Sequence, residues 1–88
     1  MENKNSFAVC CTYNFDTDAA VYLFDTQQEA VDWLRASLLE AHRIDTEENG
    51  WDSSYEISED ELYGKITTRF ADHDDITEYR VANVYSCE

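Results

Sequence analysis

Residues 26–43 read TQQEAVDWLRASLLEAHR, and the organisation of the chain follows from what this stretch becomes. Thr26-Gln27-Gln28-Glu29 has the form of a capping box. A threonine hydroxyl there accepts from the amide three residues on, and the glutamate reaches back to the threonine's own amide. Behind it, Ala30, Val31, Trp33, Leu34, Leu38 and Ala41 recur at helical spacing, while Asp32, Arg35, Glu40 and Arg43 take the other faces. The spacing predicts an amphipathic helix from 27 to about 43. On its N-terminal side, residues 7–15 (FAVCCTYNF) alternate, with Phe7, Val9, Cys11, Tyr13 and Phe15 on one face, which is the period of a half-buried strand. Asp16-Thr17-Asp18 supplies turn residues, and residues 19–24 (AAVYLF) form a second strand, so a β-hairpin precedes the helix.

On the C-terminal side, Asn49-Gly50 is a turn signal. Ser58-Glu59-Asp60-Glu61 repeats the capping-box pattern, with Ile57 and Leu62 spaced for a hydrophobic staple. A short helix is therefore expected from 59 to near Gly64. Residues 65–71 (KITTRFA) predict a strand, Asp72-His73-Asp74-Asp75 a polar loop, and residues 76–86 a strand with a register break near 80. The expected fold class is α+β. A four-stranded antiparallel sheet in ββααββ order packs on one long amphipathic helix plus a short helix, as a single domain over residues 1–88. The absence of Pro and the presence of only two Gly, at 50 and 64, leave no flexible linker.

The charge is lopsided. Twenty acids face six Lys and Arg, for a formal net charge of -14. A folded chain of this length is about 30 Å across. Duplex DNA carries one charge per ~1.7 Å of axis, so fourteen charges match about 24 Å of duplex. A protein so charged repels nucleic acids and anionic membranes and is drawn to basic grooves. Disorder is not expected, because six Tyr, four Phe and two Trp are spread along the chain.

Catalytic signatures are missing. His42 and His73 stand without a nucleophile placed by any motif. No glycine-rich phosphate loop occurs. Asp72-His73-Asp74-Asp75 has metal-ligand residue types but not the convergence that a site needs. The chain is read as a non-enzyme with no catalytic residues, no metal and no cofactor. Direct nucleic-acid binding is disfavoured as well, since Lys4, Arg35, Arg43, Lys65, Arg69 and Arg80 do not cluster. The three cysteines (Cys10, Cys11 and Cys87) form no CxxC, and there is no apolar leader, which suits a reducing cytoplasm. If the terminal strands pair, Cys87 comes near Cys10 or Cys11. Edge strands near each terminus could also join two copies as a homodimer.

What remains is an acidic segment. Asp45, Glu47, Glu48, Asp52, Glu56, Glu59, Asp60 and Glu61 fall within seventeen residues that contain no Lys or Arg until position 65. Asp72, Asp74, Asp75 and Glu78 follow. A strand between the two groups would bring them onto one connected surface. Trp51 and Tyr55 lie among these acids. Such aromatics serve either as interface anchors, able to meet a partner's Arg or Lys through cation–π contact, or as a lid on the core. The acids themselves are either selected for a partner or simply well solvated.

Asn49-Gly50-Trp51, then Tyr55-Glu56 and further acids, behind a capped amphipathic helix, resembles the C-terminal half of small, acidic phage-encoded anti-CRISPR proteins that inhibit a Cas nuclease. The matching part spans about Thr26 to Glu61, and the hairpin over 65–86 departs from that pattern. The resemblance implies a DNA mimic whose carboxylates occupy the arginines that read the PAM duplex. Its implied contacts are Asp45, Glu47, Glu48, Asp52, Glu56, Glu59, Asp60 and Glu61. The expected partner is thus a basic protein, a Cas effector or other nucleic-acid-binding nuclease. Two other readings fit the same charge. One is an immunity or antitoxin protein against a basic nuclease, and the other is a small regulatory domain that binds protein through its sheet.

Overall fold

Strand alternation, one capped helix and three hairpin loops account for the architecture. The computed structural model describes residues 6–84. It contains β1 (Phe7–Tyr13), β2 (Ala20–Phe24), α1 (Gln27–Arg43), a π-helical turn (Ile44–Glu48), β3 (Asp52–Ile57), β4 (Tyr63–Arg69) and β5 (Asp74–Asn83). The strands form one antiparallel sheet in the order β2-β1-β5-β4-β3. Helix α1 leaves the β2 edge, crosses one face of the sheet and delivers the chain to the opposite edge at β3.

The capping box at Thr26 is complete. Glu29 N donates to Thr26 Oγ1 at 3.1 Å, and Thr26 N donates to Glu29 Oε1 at 3.3 Å. Ala30, Val31, Leu34 and Leu38 are buried along the inner stripe of α1. Ala30, Leu34 and Leu38 pack on the sheet residues Val9, Cys11, Ile66 and Tyr79 to form the core. Burial also pushes the Cys11 thiol up to about 11, so it stays protonated as a small apolar side chain.

Gly64 sits in β4 beneath the helix. A Cβ there would lie 2.5 Å from Leu38 Cδ1 and 3.2 Å from Leu34 Cδ2. Its bare backbone therefore sets how closely α1 approaches. Gly64→Ala is expected to destabilise the domain by about 1 kcal/mol, because Leu38 must move its tip, and Gly64→Val by more. The midpoint of urea unfolding measures both. If the two variants match the parent, the close approach does not matter.

The structure corrects the expected topology in four places. The sheet has five strands, not four, because residues 52–57 pair along β4 from Asp52↔Arg69 to Ile57↔Gly64. Their period-2 pattern is masked in sequence by Asp and Ser, which are poor strand formers. The second helix is not formed, and residues 58–62 are a hairpin loop instead. Ser58 N donates to Tyr63 O at 2.9 Å and Leu62 N to Asp60 Oδ1 at 3.0 Å. Glu61 has φ 63°, incompatible with the first turn of a helix. Ser and Asp thus serve a turn here, the other use of side chains that bond nearby backbone. Nor does β5 break register near 80: Thr77, Tyr79, Val81 and Asn83 pair continuously with β1. Finally, the first and last strands pair with each other inside the sheet, leaving β2 and β3 as the edges. Cys87 lies outside the described residues, and Cys10 and Cys11 are free thiols. No helix among the described residues is long and apolar enough to cross a membrane.

Candidate functional site

Antiparallel pairing decides which acids meet. Tyr13 at the end of β1 lies opposite Thr77 near the start of β5. Arg69 at the end of β4 lies between Asp52 at the start of β3 and Asp74 at the start of β5. The C-terminus of α1 arrives at this same end of the sheet. Four chain segments therefore place nine carboxylates there. These are Asp16 and Asp18 in the β1–β2 loop, Asp45, Glu47 and Glu48 in the π-helical turn, Asp52, and Asp72, Asp74 and Asp75 around the β4–β5 loop. The described cations at this end are Arg43 and Arg69, with His73 between the acids.

Hydrogen bonds hold these segments together. Asn14 Nδ2 donates to Asp74 O at 2.9 Å, and Ile76 N donates to Asn14 Oδ1 at 2.8 Å, locking the first hairpin loop to β5. Trp51 N donates to Asp45 O at 2.8 Å, and Thr68 Oγ1 donates to Asp45 Oδ2 at 2.8 Å, fixing the π-helical turn to β4. Asp16 accepts from Asp18 N at 3.0 Å, so this acidic loop is itself a side-chain-capped turn.

Of the residues named from sequence, Asp45, Glu47, Glu48, Trp51, Asp52, Asp72, Asp74 and Asp75 come together at this end. Glu56, Glu59, Asp60 and Glu61 do not. Strand β3 carries Glu56 to the face away from α1, where it pairs with Lys65 at 3.2 Å. Glu59, Asp60 and Glu61 occupy the hairpin loop at the opposite end, with Glu61 paired to Arg35 and Asp60 used inside its own loop. Hydrogen bonds from Ser58 and then Leu62 hold the Asp60 carboxyl below its ordinary range. Tyr55 sits on the helix side of the β3 edge, edge-on to His42 at 4.9 Å. Asp16 and Asp18 were missed because their loop joins the acidic end only once β1 pairs with β5.

The described cations are largely spent in ion pairs. On the sheet face away from α1, Lys65–Glu56, Arg69–Asp52 and Arg80–Glu78 make cross-strand or adjacent ion pairs at 3.2, 3.6 and 3.4 Å. That face is close to electrically balanced. At the acidic end, Arg43 is shared among Glu40, Glu48 and Glu47 at 2.6, 3.1 and 3.8 Å, which holds its guanidinium charged. Asp45, Glu47 and Glu48 follow the C-terminus of α1, where the helix dipole disfavours carboxylates. Arg43 offsets this for Glu47 and Glu48, and the bond from Thr68 holds Asp45.

Between the helix C-terminus and the sheet, this end encloses a cavity of about 320 Å³. Tyr13, Phe15, Trp51 and Tyr79 line it together with Asp45 and Asp75. Trp51 is 45 % exposed and stands edge-on to Phe70 at 5.3 Å, at the mouth rather than in the core. Tyr79 is buried, and that burial, with neighbouring Cys11 next in weight, pushes its hydroxyl up to about 12, so it is protonated at neutral pH. No group of three or more His, Cys, Asp and Glu among the described residues could hold a metal ion.

His73 is the titratable cation of the site. Its Nδ1 lies 2.6 Å from Asp72 Oδ1 and its Nε2 3.4 Å from Asp75 Oδ1. The Asp72 hydrogen bond raises the His73 pKa above its ordinary 6.5, and His73 in turn lowers that of Asp72. The His73 contribution to stability is therefore full below about pH 6.5 and fades as pH rises through the raised folded value. Over the same range the site gains one negative charge. An NMR titration of the His73 ring should show a midpoint above 6.5, falling back in Asp72→Asn. An unchanged midpoint in Asp72→Asn would show that the contact does not govern the titration.

No protein-family model matches the chain, and neither a curated protein nor a solved structure matches it significantly.

Proposed function

We propose that this chain is an inhibitor that sets an anionic, nucleic-acid-like surface into the basic cleft of a nucleic-acid-binding nuclease. A Cas effector is the partner class that the Asn49-Gly50-Trp51 segment suggests. The observation that carries this reading is the meeting of nine carboxylates from four separate segments at one end of the sheet. Those charges repel one another, and three of them sit at the unfavourable end of a helix. Their gathering is accounted for when a cationic partner takes them up, through charge-assisted pairs that are bidentate where arginine is the donor. Attraction over such a surface also speeds encounter. Beyond Asp52 and Asp74, the face away from α1 carries charges that are already paired, and it has no comparable claim on a basic cleft.

The test is a competition assay with a purified Cas effector–guide complex and its target duplex. The chain should displace target DNA at low salt, and its apparent affinity should fall steeply as salt rises, because exposed charges are screened. Competition that is independent of salt, or no competition at low salt, overturns the reading.

A further inference from the structure

We infer that the cavity at the acidic end is a receptor for a single guanidinium group, an arginine side chain of the basic partner. This rests on the inhibitor reading for the identity of that partner, though the pocket's chemistry stands apart from it. The cavity has about 320 Å³, at the small end of the range for small-molecule sites, and so suits one side chain rather than a larger ligand. Its walls include Tyr13, Phe15, Trp51 and Tyr79, and no Lys, Arg or His lines it. Two carboxylates do, Asp45 and Asp75.

Asp45 is held by the buried Thr68, whose hydroxyl donates to Oδ2 at 2.8 Å, leaving further acceptor capacity on the carboxylate. Asp75 has the exposed His73 as its ion-pair partner among the described residues, at 3.4 Å. The neighbouring guanidinium groups are engaged outside the cavity, Arg43 with Glu40, Glu47 and Glu48, and Arg69 with Asp52. Aromatic faces attract cations, and a planar guanidinium both stacks on rings and donates in parallel to carboxylates. An ammonium group matches the charge but not the stacking. Within a broad anionic surface, the pocket thus supplies a point of register, one arginine inserted among rings while the surrounding carboxylates meet the rest of the cleft.

The probe is N-acetyl-arginine methylamide, followed by the indole N–H resonances of the full chain. Trp33, packed against Tyr22 and Phe24 over β2, serves as an internal control. The Trp51 signal should shift saturably and the Trp33 signal should not. Asp45→Asn and Asp75→Asn should each weaken the effect about tenfold, as expected for loss of a charge-assisted hydrogen bond. The uncharged citrulline analogue should give no saturation. Equal response to citrulline, a linear non-saturating shift, or indifference to both substitutions overturns the proposal. Phe15→Ala, at an exposed position on the cavity wall, provides a second variant if one of the others fails to fold, and it too should weaken the Trp51 response. The two readings separate cleanly. If the amide saturates but no Cas effector is blocked, the pocket stands and the nuclease reading falls. If the effector is blocked and neither the amide nor Asp75→Asn has any effect, the pocket alone falls.

Discussion

Replacing Asp45, Glu47, Glu48, Asp52, Asp72, Asp74 and Asp75 together by their amides should weaken binding to the basic partner at least about a hundredfold. The same change at the three acids of the opposite end, Glu59, Asp60 and Glu61, should leave it within about threefold. These magnitudes follow from charge-assisted hydrogen bonds of ~1.5–3 kcal/mol each, of which only a few need be lost. The contrast between the two ends is the informative part. Both variants remove negative charge, so a response that tracked net charge alone would appear in both, scaled by the number of groups changed. A response confined to the first locates the binding surface at the end where the β1–β2 and β4–β5 loops meet the π-helical turn. Surface plasmon resonance would resolve it as a fall in association rate together with a faster dissociation, since rim charges act mainly on encounter and closely held pairs on lifetime. Equal loss from the two variants would remove the acidic end from its role. The first variant relieves repulsion among exposed acids but also removes the pairs with Arg43, Arg69 and His73, so a thermal melt checks that it stays folded at the assay temperature.

Leu34→Ala should cost about 2–5 kcal/mol of stability. Leu34 is fully buried at the centre of the inner stripe of α1, in the cluster with Val9, Cys11, Ile66 and Tyr79. Truncation leaves a cavity above Gly64, which has no side chain to fill it, while Leu38 on the same stripe still spaces the helix from the sheet. Against a typical total of ~5–15 kcal/mol, this is a large share. For a domain of this size it corresponds to a fall in melting temperature of roughly 10–30 °C. A melt followed by near-ultraviolet circular dichroism would report it through Trp33, which neighbours Leu34 on α1 and packs against Tyr22 and Phe24. A loss below about 1 kcal/mol would mean that the core does not depend on α1 as described.

The central helix was legible from residues 26–43 alone. A capping box and an apolar stripe are local signals, and both terms of the box are satisfied within four residues of one another. The two predicted hairpins were legible for the same reason, and with them the antiparallel sheet under one helix. Strand β3 was not. DSSYEI carries the alternation of a strand but few residues that favour one, and it is held by its partner β4 rather than by preference of its own. The loop at 58–62 shows the complementary failure. Ser58 and Asp60 make the same kind of side-chain-to-backbone bonds in a turn as at a helix start, and only the left-handed Glu61 and the strand after it distinguish the two.

For the site, the sequence was enough to name eight of the residues that share the acidic end. Which acids belong together was beyond any local reading. Strand direction carries Glu56, Glu59, Asp60 and Glu61 away from their sequence neighbours, and the pairing of β1 with β5 brings in Asp16 and Asp18 from across the chain. The aromatic cavity is likewise assembled from residues as far apart as Tyr13 and Tyr79. A sequence determines how many charges a protein carries and which segments want to be helix or strand, because those depend on neighbours along the chain. Where the charges gather depends on strand order, which is settled by burial and by hydrogen bonds between distant segments, and only the folded sheet decides it.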